Sequence, residues 1–174
     1  MSNNSLNSTE VDILRELQNA LYDAPGVLPV ARGLSLFGEH ALGWMGVAAV
    51  GAVADHEKSR QWIAMGAGAF TAHATSVILK RIVRRRRPHD PRVKIGVGTP
   101  SKLSFPSSHA TSTSAAMVHL ADITGSKLPY AGIPVMMASR MVLGVHYPTD
   151  TLVGALLGTG VARAAINIER DTRD

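Results

Sequence analysis

The apolar residues of this chain fall into one amphipathic segment and five longer apolar segments, separated by short polar stretches. In the first segment, Val11–Tyr22, apolar residues recur at helical spacing on one face, and polar residues such as Asp12 and Gln18 lie largely opposite. This periodicity predicts an amphipathic surface helix, which Pro25 is expected to end.

The longer segments lie near residues 34–54, 62–80, 104–121, 129–145 and 151–168. The second includes a run from Trp62 to Leu79 without a formally charged side chain, and this run reaches the ~18 residues at which a membrane-spanning helix becomes a candidate. The pattern therefore predicts an all-α protein, an integral membrane helical bundle of about five spans preceded by the N-terminal amphipathic helix.

Hydropathy alone leaves a soluble helical bundle open, because the mean hydropathy is only +0.09. Small residues at four-residue spacing favour the membrane; they are Ala64, Gly68, Ala72 and Ser76 in one predicted helix and Gly154, Gly158 and Ala162 in another. Such stripes let helix backbones approach closely in lipid. In a soluble helix, each glycine would cost about 1 kcal/mol relative to alanine.

The length of 174 residues is close to that of one domain of roughly 150 residues. We expect a single domain over residues 1–174, with a polar N-terminus and amphipathic helix at 1–33 and a helical core at 34–168. Only 18% of the residues are charged, yet the formal net charge is +5. The absence of cysteine excludes a disulfide scaffold and a thiol nucleophile. Residues 1–10 show no pattern of a cleavable secretory signal.

Charged and imidazole side chains are concentrated in three short stretches, each at the end of a predicted helix. These are Lys80–Pro88, Phe105–His109 and Ser139–Asp150. Because successive helices reverse direction, the three stretches are expected to meet at one end of the bundle.

Phosphate is the ligand that these groups suit. Lys80, Arg87 and Arg140 would offer donors to the three non-bridging oxygens of a phosphoryl group. A helix that begins near Ser107 and Ser108 would add backbone N–H groups that favour an anion.

The third stretch and His109 supply candidates for acid–base and nucleophilic chemistry. Asp150 lies four residues after His146 and could bond one ring nitrogen, which would leave the other nitrogen unprotonated and free to attack phosphorus.

The three stretches resemble the signature of the type 2 phosphatidic acid phosphatase (PAP2) superfamily, which also includes bacterial acid phosphatases and vanadium haloperoxidases. That signature reads Lys, six residues, Arg-Pro; then Pro-Ser-Gly-His; then Ser-Arg, five residues, His, three residues, Asp. Every spacing is met between Lys80 and Asp150, and the one departure is Ser108, where the family commonly has glycine.

The resemblance implies a role for each matching residue. His146 would be the nucleophile that forms a phosphohistidine, Asp150 would orient it, and His109 would protonate the leaving oxygen and then activate water. The groups that hold the phosphoryl oxygens would be Lys80, Arg87, Arg140 and the backbone amides of Ser107 and Ser108. No metal or other cofactor is expected.

Other basic and imidazole groups are given simpler interpretations. Arg84, Arg85 and Arg86 are expected to form a solvated or headgroup-facing patch without a catalytic role. His73 and His119 are expected to be hydrogen-bonded packing residues. A noncatalytic basic arm that binds nucleic acid is the competing function, but it leaves the histidines unexplained, and residues 81–102 contain no aromatic side chain to stack on bases. A vanadium haloperoxidase is the other alternative.

Within the superfamily, the stretches RGLSLFGEHALGW, VGTPSKLSFPSSHATSTSAA and GVHYPTDTLVG resemble small actinobacterial phosphatases that act on decaprenylphosphoryl-5-phosphoribose. The resemblance implies a lipid-linked phosphate substrate and contact with membrane lipids, and no nucleic-acid partner. Undecaprenyl pyrophosphate, phosphatidylglycerol phosphate and phosphatidic acid stay open as substrates, and the oligomeric state is also open.

The distribution of Lys and Arg bears on orientation in a plasma (inner) membrane. With the five spans above, twelve of the 18 Lys and Arg residues fall on the side of the candidate site and six fall opposite, namely Lys58, Arg60, Lys127, Arg163, Arg170 and Arg173. This bias predicts a multi-pass protein whose site faces the cytoplasm.

Overall fold

The computed structural model describes residues 3–172, and their side chains from Ser8 onward. Its helices are α1 (Asn3–Leu21), α2 (Val27–Phe37), α3 (Leu42–Ala54), α4 (Ser59–Val83), α5 (Ser108–Thr124), α6 (Gly132–Val142) and α7 (Pro148–Asp171). Short 3₁₀ helices lie at Glu39–Ala41, His56–Lys58 and Leu128–Ala131. Within the described range no strand forms beyond an isolated bridge between Arg86 and Leu103, so the predicted all-α class is confirmed.

Helix α5 is the centre of the bundle and packs mainly against α4 and α7. The predicted small-residue stripes make these contacts: Gly68 of α4 faces His119 of α5, and Gly154 and Gly158 of α7 face the backbone at Ser107 and Thr111. A Cβ at Gly158 would lie 2.0 Å from the carbonyl oxygen of Thr111. Glycine is therefore required there by the close approach of two helix backbones.

Two helices of the described chain are long and apolar enough to cross a membrane, His56–Val83 and Pro148–Asp171. A third candidate is the pair Val27–Phe37 and Glu39–Ala54, whose halves are bent by 54°. The predicted segment 34–54 thus begins earlier than expected and is broken near residue 40. Of the other predicted spans, α5 has 17 residues and α6 only 11. The prediction of five spans stays a prediction.

The break between α2 and α3 has a local cause in the backbone. His40 and Ala41 adopt left-handed conformations with φ of 52° and 62°, which interrupt the helix between its two halves. The bend brings Glu39 and His40 to the wall of the cavity described below.

Helix α1 packs one face against the bundle, and its other face is exposed. Val11 and Leu14 are buried against Val93 and Tyr147, as the apolar face predicts. Gln18, however, is only 3% exposed, although it was predicted to face outward. Its side chain donates to the carbonyls of Lys94 and Val142 and accepts from the amide of Lys94, and so satisfies backbone groups that have no helical partner.

Candidate active site

The three stretches meet at one end of the bundle, as predicted. They surround a cavity of about 680 Å³. Of the eight predicted site residues, six line this cavity: Lys80, Arg87, Ser108, His109, Arg140 and His146. They come from the end of α4 and the loop after it, the N-terminus of α5, the last turn of α6 and the loop before α7, because antiparallel helices place these ends side by side.

His146 lies in the loop before α7 and is 1% exposed. Its Nε2 is 3.0 Å from Nη1 of Arg87. Since a guanidinium can only donate, Nε2 is the unprotonated nitrogen and Nδ1 carries the proton. Burial, together with the positive charges of Arg87 and Lys80, holds the pKa of His146 well below its usual range. The imidazole is therefore neutral at pH 7, as a nucleophile requires.

Asp150 is fully buried behind His146, in the first turn of α7. Its Oδ2 accepts from the backbone N–H of Tyr147 at 2.8 Å. The same oxygen is 3.6 Å from His146 Nδ1, which is beyond hydrogen-bond range, although the charge faces the ring. The carboxylate is thus placed to orient His146 and to stabilise a positive charge on it, with a small closing movement needed for a direct bond.

Arg140, on α6, is only 2% exposed and borders the cavity. No group in the described part of the chain accepts a hydrogen bond from its Nε or Nη1. Buried guanidinium donors normally have an acceptor. Because the side chain borders the cavity, its guanidinium can offer planar donors to the oxygens of a phosphoryl group that binds there.

Lys80 and Arg87 have structural partners as well as a cavity face. Lys80 Nζ donates to the carbonyls of Ser104 and Pro106, so it holds the loop before α5 and keeps one N–H for a ligand. Arg87 Nε donates to the Ser101 carbonyl at 2.8 Å. Burial lowers the pKa of Arg87 to about 10, which still leaves the side chain cationic at pH 7.

The two serines have different positions. Ser108 borders the cavity as the first residue of α5, where backbone N–H groups point out of the helix end. Ser107 was predicted to offer its amide to phosphate, but that amide donates to the Asp150 carbonyl at 2.9 Å, and its hydroxyl caps α5 by accepting from Ala110. In this structure Ser107 joins α5 to α7 and does not line the cavity, and its contact with phosphate stays a prediction.

His109 faces the cavity one residue further along α5. Its Nε2 is 2.8 Å from the carbonyl of Ser35, so Nε2 carries a proton and donates. Nδ1 is then the nitrogen available for proton transfer.

The structure also places at the site residues to which the sequence analysis gave no catalytic role. Arg85, assigned to a solvated patch, donates to Asp150 Oδ1 at 3.0 Å. His40 and His73 line the cavity with ring centroids 5.7 Å apart. The seven-residue separation of His73 from Lys80, two helical turns, could have indicated a common face. Sequence alone held no comparable signal for Arg85. His119, by contrast, bonds the Ala115 carbonyl within the core, as expected for a packing residue.

Within the part of the chain that the structure describes, no three His, Asp or Glu side chains are grouped as ligands for a metal ion. The expectation that the chemistry needs no metal stays a prediction.

The sequence of this chain is similar to one known protein family and to individual members of known function. A family model described as the PAP2 superfamily matches residues 61–174. Decaprenylphosphoryl-5-phosphoribose phosphatase of Mycobacterium tuberculosis is 52% identical over 152 residues, which are 87% of this chain and 86% of the relative. The protein of the same name from Mycolicibacterium smegmatis is 57% identical over 142 residues, 82% of this chain and 79% of the relative.

A solved structure has the same fold. The transmembrane PAP2 type phosphatidylglycerolphosphate phosphatase from Bacillus subtilis superposes with a TM-score of 0.75, covering 98% of this chain and 88% of that chain at 20% identity. This likeness concerns the arrangement of the helices.

Proposed function

Since this chain belongs to the PAP2 superfamily, it is a membrane phosphoric monoester hydrolase, and we propose that its substrate is decaprenylphosphoryl-5-phosphoribose. The product would be decaprenylphosphoryl ribose, a precursor for cell-wall arabinan. The observation that carries this proposal is the 57% identity, over 82% of this chain, to the decaprenylphosphoryl-5-phosphoribose phosphatase of Mycolicibacterium smegmatis. We further propose that residues 1–174 act as one domain.

In this proposal the terminal phosphate lies against Arg140, Arg87 and Lys80. The planar guanidinium of Arg140, which borders the cavity, binds two phosphoryl oxygens, and the third N–H of Lys80 binds another. The N–H of Ser108, at the positive end of α5, adds a neutral donor. Three cations offset the charge that a phosphate monoester carries into a largely buried site.

The first chemical step forms a phosphohistidine. Arg87 releases His146 Nε2 and donates to the phosphoryl group instead. Nε2 then attacks phosphorus, and the bond from phosphorus to the ribose oxygen breaks. Cationic His109 gives the Nδ1 proton to that leaving oxygen, while Asp150 stabilises the positive charge on the phosphorylated ring.

The second step hydrolyses the intermediate. Neutral His109 takes a proton from a water molecule, whose oxygen attacks phosphorus. The N–P bond breaks, its electron pair returns to His146 Nε2, and inorganic phosphate leaves. Both histidines are then ready for another cycle.

The wall of the cavity is suited to a lipid-linked substrate. Leu36 and Ile78 line it, and both are exposed large apolar residues of helices assigned to candidate spans. A polyprenyl chain can therefore lie along α2 and α4 while its phosphate occupies the buried end, since apolar surface of this kind is stable against lipid.

We also propose that the protein lies in the plasma membrane with its site facing the cytoplasm, on the strength of the Lys and Arg bias. Arg173, one of the residues counted, lies outside the described part of the chain. Because the chain has no cysteine, single cysteines at exposed Lys102 and Ser126 test the orientation with an impermeant thiol reagent on intact cells. Labelling at 126 alone is expected. Labelling at 102 alone would refute the cytoplasmic orientation.

The substrate is tested by phosphate release from a panel of lipids with purified protein. The panel contains decaprenylphosphoryl-5-phosphoribose, undecaprenyl pyrophosphate, phosphatidylglycerol phosphate and phosphatidic acid. The first is expected to have the highest kcat/KM. A higher kcat/KM for any other member would overturn the proposed substrate.

The nucleophile is tested with His146→Ala, which should abolish turnover and the acid-labile phosphoenzyme. His56→Ala is the matched control, because His56 is exposed in the turn before α4. Turnover retained in the His146 variant would exclude the phosphohistidine mechanism.

A further inference from the structure

The second oxygen of Asp150 has a partner that the chemistry above does not use. While Oδ2 accepts from Tyr147 and faces His146, Oδ1 accepts from Nη1 of Arg85 at 3.0 Å. The carboxylate is fully buried, and each of its oxygens therefore accepts a hydrogen bond from the protein. The orientation of Asp150 depends on where Arg85 lies.

Arg85 is in turn held by a residue far away in the sequence. Its Nη2 pairs with Oε2 of Glu10 on α1. Its Nη1 also donates to the hydroxyl of Thr149 at 2.7 Å, and its guanidinium lies 4.0 Å from the ring centroid of Tyr147. These contacts leave the guanidinium little freedom to turn away from Asp150.

Glu10 also binds the first turn of α7 through Thr149. Its Oε1 accepts from the backbone N–H of Thr149 at 3.0 Å and from the Thr149 hydroxyl at 2.6 Å. Thr149 immediately precedes Asp150 at the start of α7. One carboxylate on α1 thus fixes both the helix end that carries Asp150 and the arginine that Asp150 binds.

The ion pair between Glu10 and Arg85 is largely shielded from water, so separating the two charges is costly. Glu10 is 8% exposed, and the side chain of Arg85 is 22% exposed. Burial raises the pKa of a carboxyl, but the hydrogen bonds from Thr149 and Arg85 outweigh it and lower the pKa of Glu10 below its usual value. Removing one member would leave the others with an uncompensated charge in a poorly hydrated place.

We propose that Glu10 and Arg85 are positioning residues that fix Asp150 against His146, which makes helix α1 a working part of the active site. This inference rests on the proposed phosphohistidine chemistry. In that chemistry a positive charge develops on His146, and a carboxylate can stabilise it only if its distance and direction are fixed. Glu10 precedes the region that the family model matches, residues 61–174.

The competing interpretation is that Glu10 and Arg85 only fasten α1 to the bundle. A purely structural fastening would change thermal stability and leave kcat of the folded protein unchanged. A positioning role lowers kcat and the rate of phosphohistidine formation while KM is unchanged, because neither residue lines the substrate cavity. Kinetics therefore separate the two interpretations.

The experiment compares Glu10→Gln with Glu16→Gln, the same change on the same helix at a side chain that is 70% exposed. Arg85→Lys is compared with Arg86→Lys, at an exposed neighbouring arginine. Purified variants are assayed on a short-chain phosphatidic acid, and phosphohistidine is trapped by rapid quench from a ³²P-labelled substrate. This assay does not depend on which lipid is the natural substrate. A wild-type protein that cleaves the short-chain lipid and spares decaprenylphosphoryl-5-phosphoribose would refute the proposed substrate and leave the comparison of variants intact.

We expect kcat to fall about 10- to 100-fold in Glu10→Gln and Arg85→Lys, the range typical of residues that orient the direct ligands of metal sites. KM should stay within about twofold, Glu10→Asp should recover part of the loss, and both controls should match the wild type. In an Asp150→Asn background, adding Glu10→Gln should slow the reaction no further, because Glu10 acts through Asp150.

Two results would overturn the inference. One is a folded Glu10→Gln protein whose kcat equals that of Glu16→Gln. The other is a Glu10→Gln effect of the same size in the Asp150→Asn background as in the wild type, since Glu10 would then act by another route. Should Glu10→Gln fail to fold, Arg85→Lys provides the same two comparisons.

Discussion

The close contact between α5 and α7 leads to a sharp prediction, because it joins the two helices that carry His109 and Asp150. We consider Gly158→Ala, which adds one methyl group. The new Cβ would lie 2.0 Å from the Thr111 carbonyl oxygen and 2.9 Å from its carbonyl carbon. Both neighbours are backbone atoms and cannot rotate away. Unbonded carbon atoms pack at about 3.5–4.0 Å, so the helices must separate by about 1 Å or more.

The size of the effect follows from this separation. Overpacking of a core typically costs about 1–3 kcal/mol, and a clash with backbone should approach the upper limit. Alanine offsets about 1 kcal/mol of this through its higher helix propensity, which leaves a net loss of about 2 kcal/mol in the free energy of unfolding. A displacement of about 1 Å between catalytic groups can lower activity roughly 100-fold. Because Gly158 is about 12 Å along the helix from Asp150, we expect kcat/KM to fall about 10- to 100-fold.

The assay has a control two residues away. A Cβ at Gly160 has no atom within 4 Å, so Gly160→Ala makes the same chemical change on the same helix without a clash. Thermal unfolding in detergent and phosphate release would be measured for both variants. Gly160→Ala should be at least as stable as the wild type and fully active. If Gly158→Ala matched Gly160→Ala in stability and kcat/KM, the proposed close approach of α5 and α7 would be refuted.

Three further predictions concern single side chains. Arg140→Lys keeps the charge but loses the planar donors of the guanidinium. A lost hydrogen bond to a charged group costs roughly 1.5–3 kcal/mol, so kcat/KM should fall about 10- to 100-fold. An unchanged kcat/KM would contradict the proposed contact of Arg140 with phosphate. Ser107→Ala removes the cap of α5 and should cost about 1 kcal/mol of stability in thermal unfolding with KM unchanged. A raised KM would show that the Ser107 hydroxyl also contacts the substrate. Because its pKa is lowered, His146 stays neutral as pH falls through 6.5 and is protonated only at lower pH. The rate of phosphohistidine formation, measured by rapid quench, should therefore not be halved near pH 6.5 through protonation of this nucleophile. A titration of His146 near pH 6.5, followed by NMR, would contradict this.

Much of the site could be predicted from the sequence because its chemistry is encoded in local spacing. Asp150 follows His146 by one helical turn, and Lys80 precedes Arg87 across the end of α4, so neighbours in the sequence become neighbours in space. The helical class and the glycine contacts were predictable for the same reason. Apolar runs and small-residue stripes express a 3.6-residue period that survives folding unchanged.

The tertiary structure alone decided which groups at long sequence separation are partners. Arg85 is 75 residues from Glu10, and no local pattern distinguishes it from the neighbouring arginines that stay exposed. Nor could the amide of Ser107 be assigned to the Asp150 carbonyl without knowing that α5 and α7 start side by side. Periodicity determines which face of a helix a residue occupies, whereas the partner across that face depends on how the helices pack, and this is a property of the whole chain.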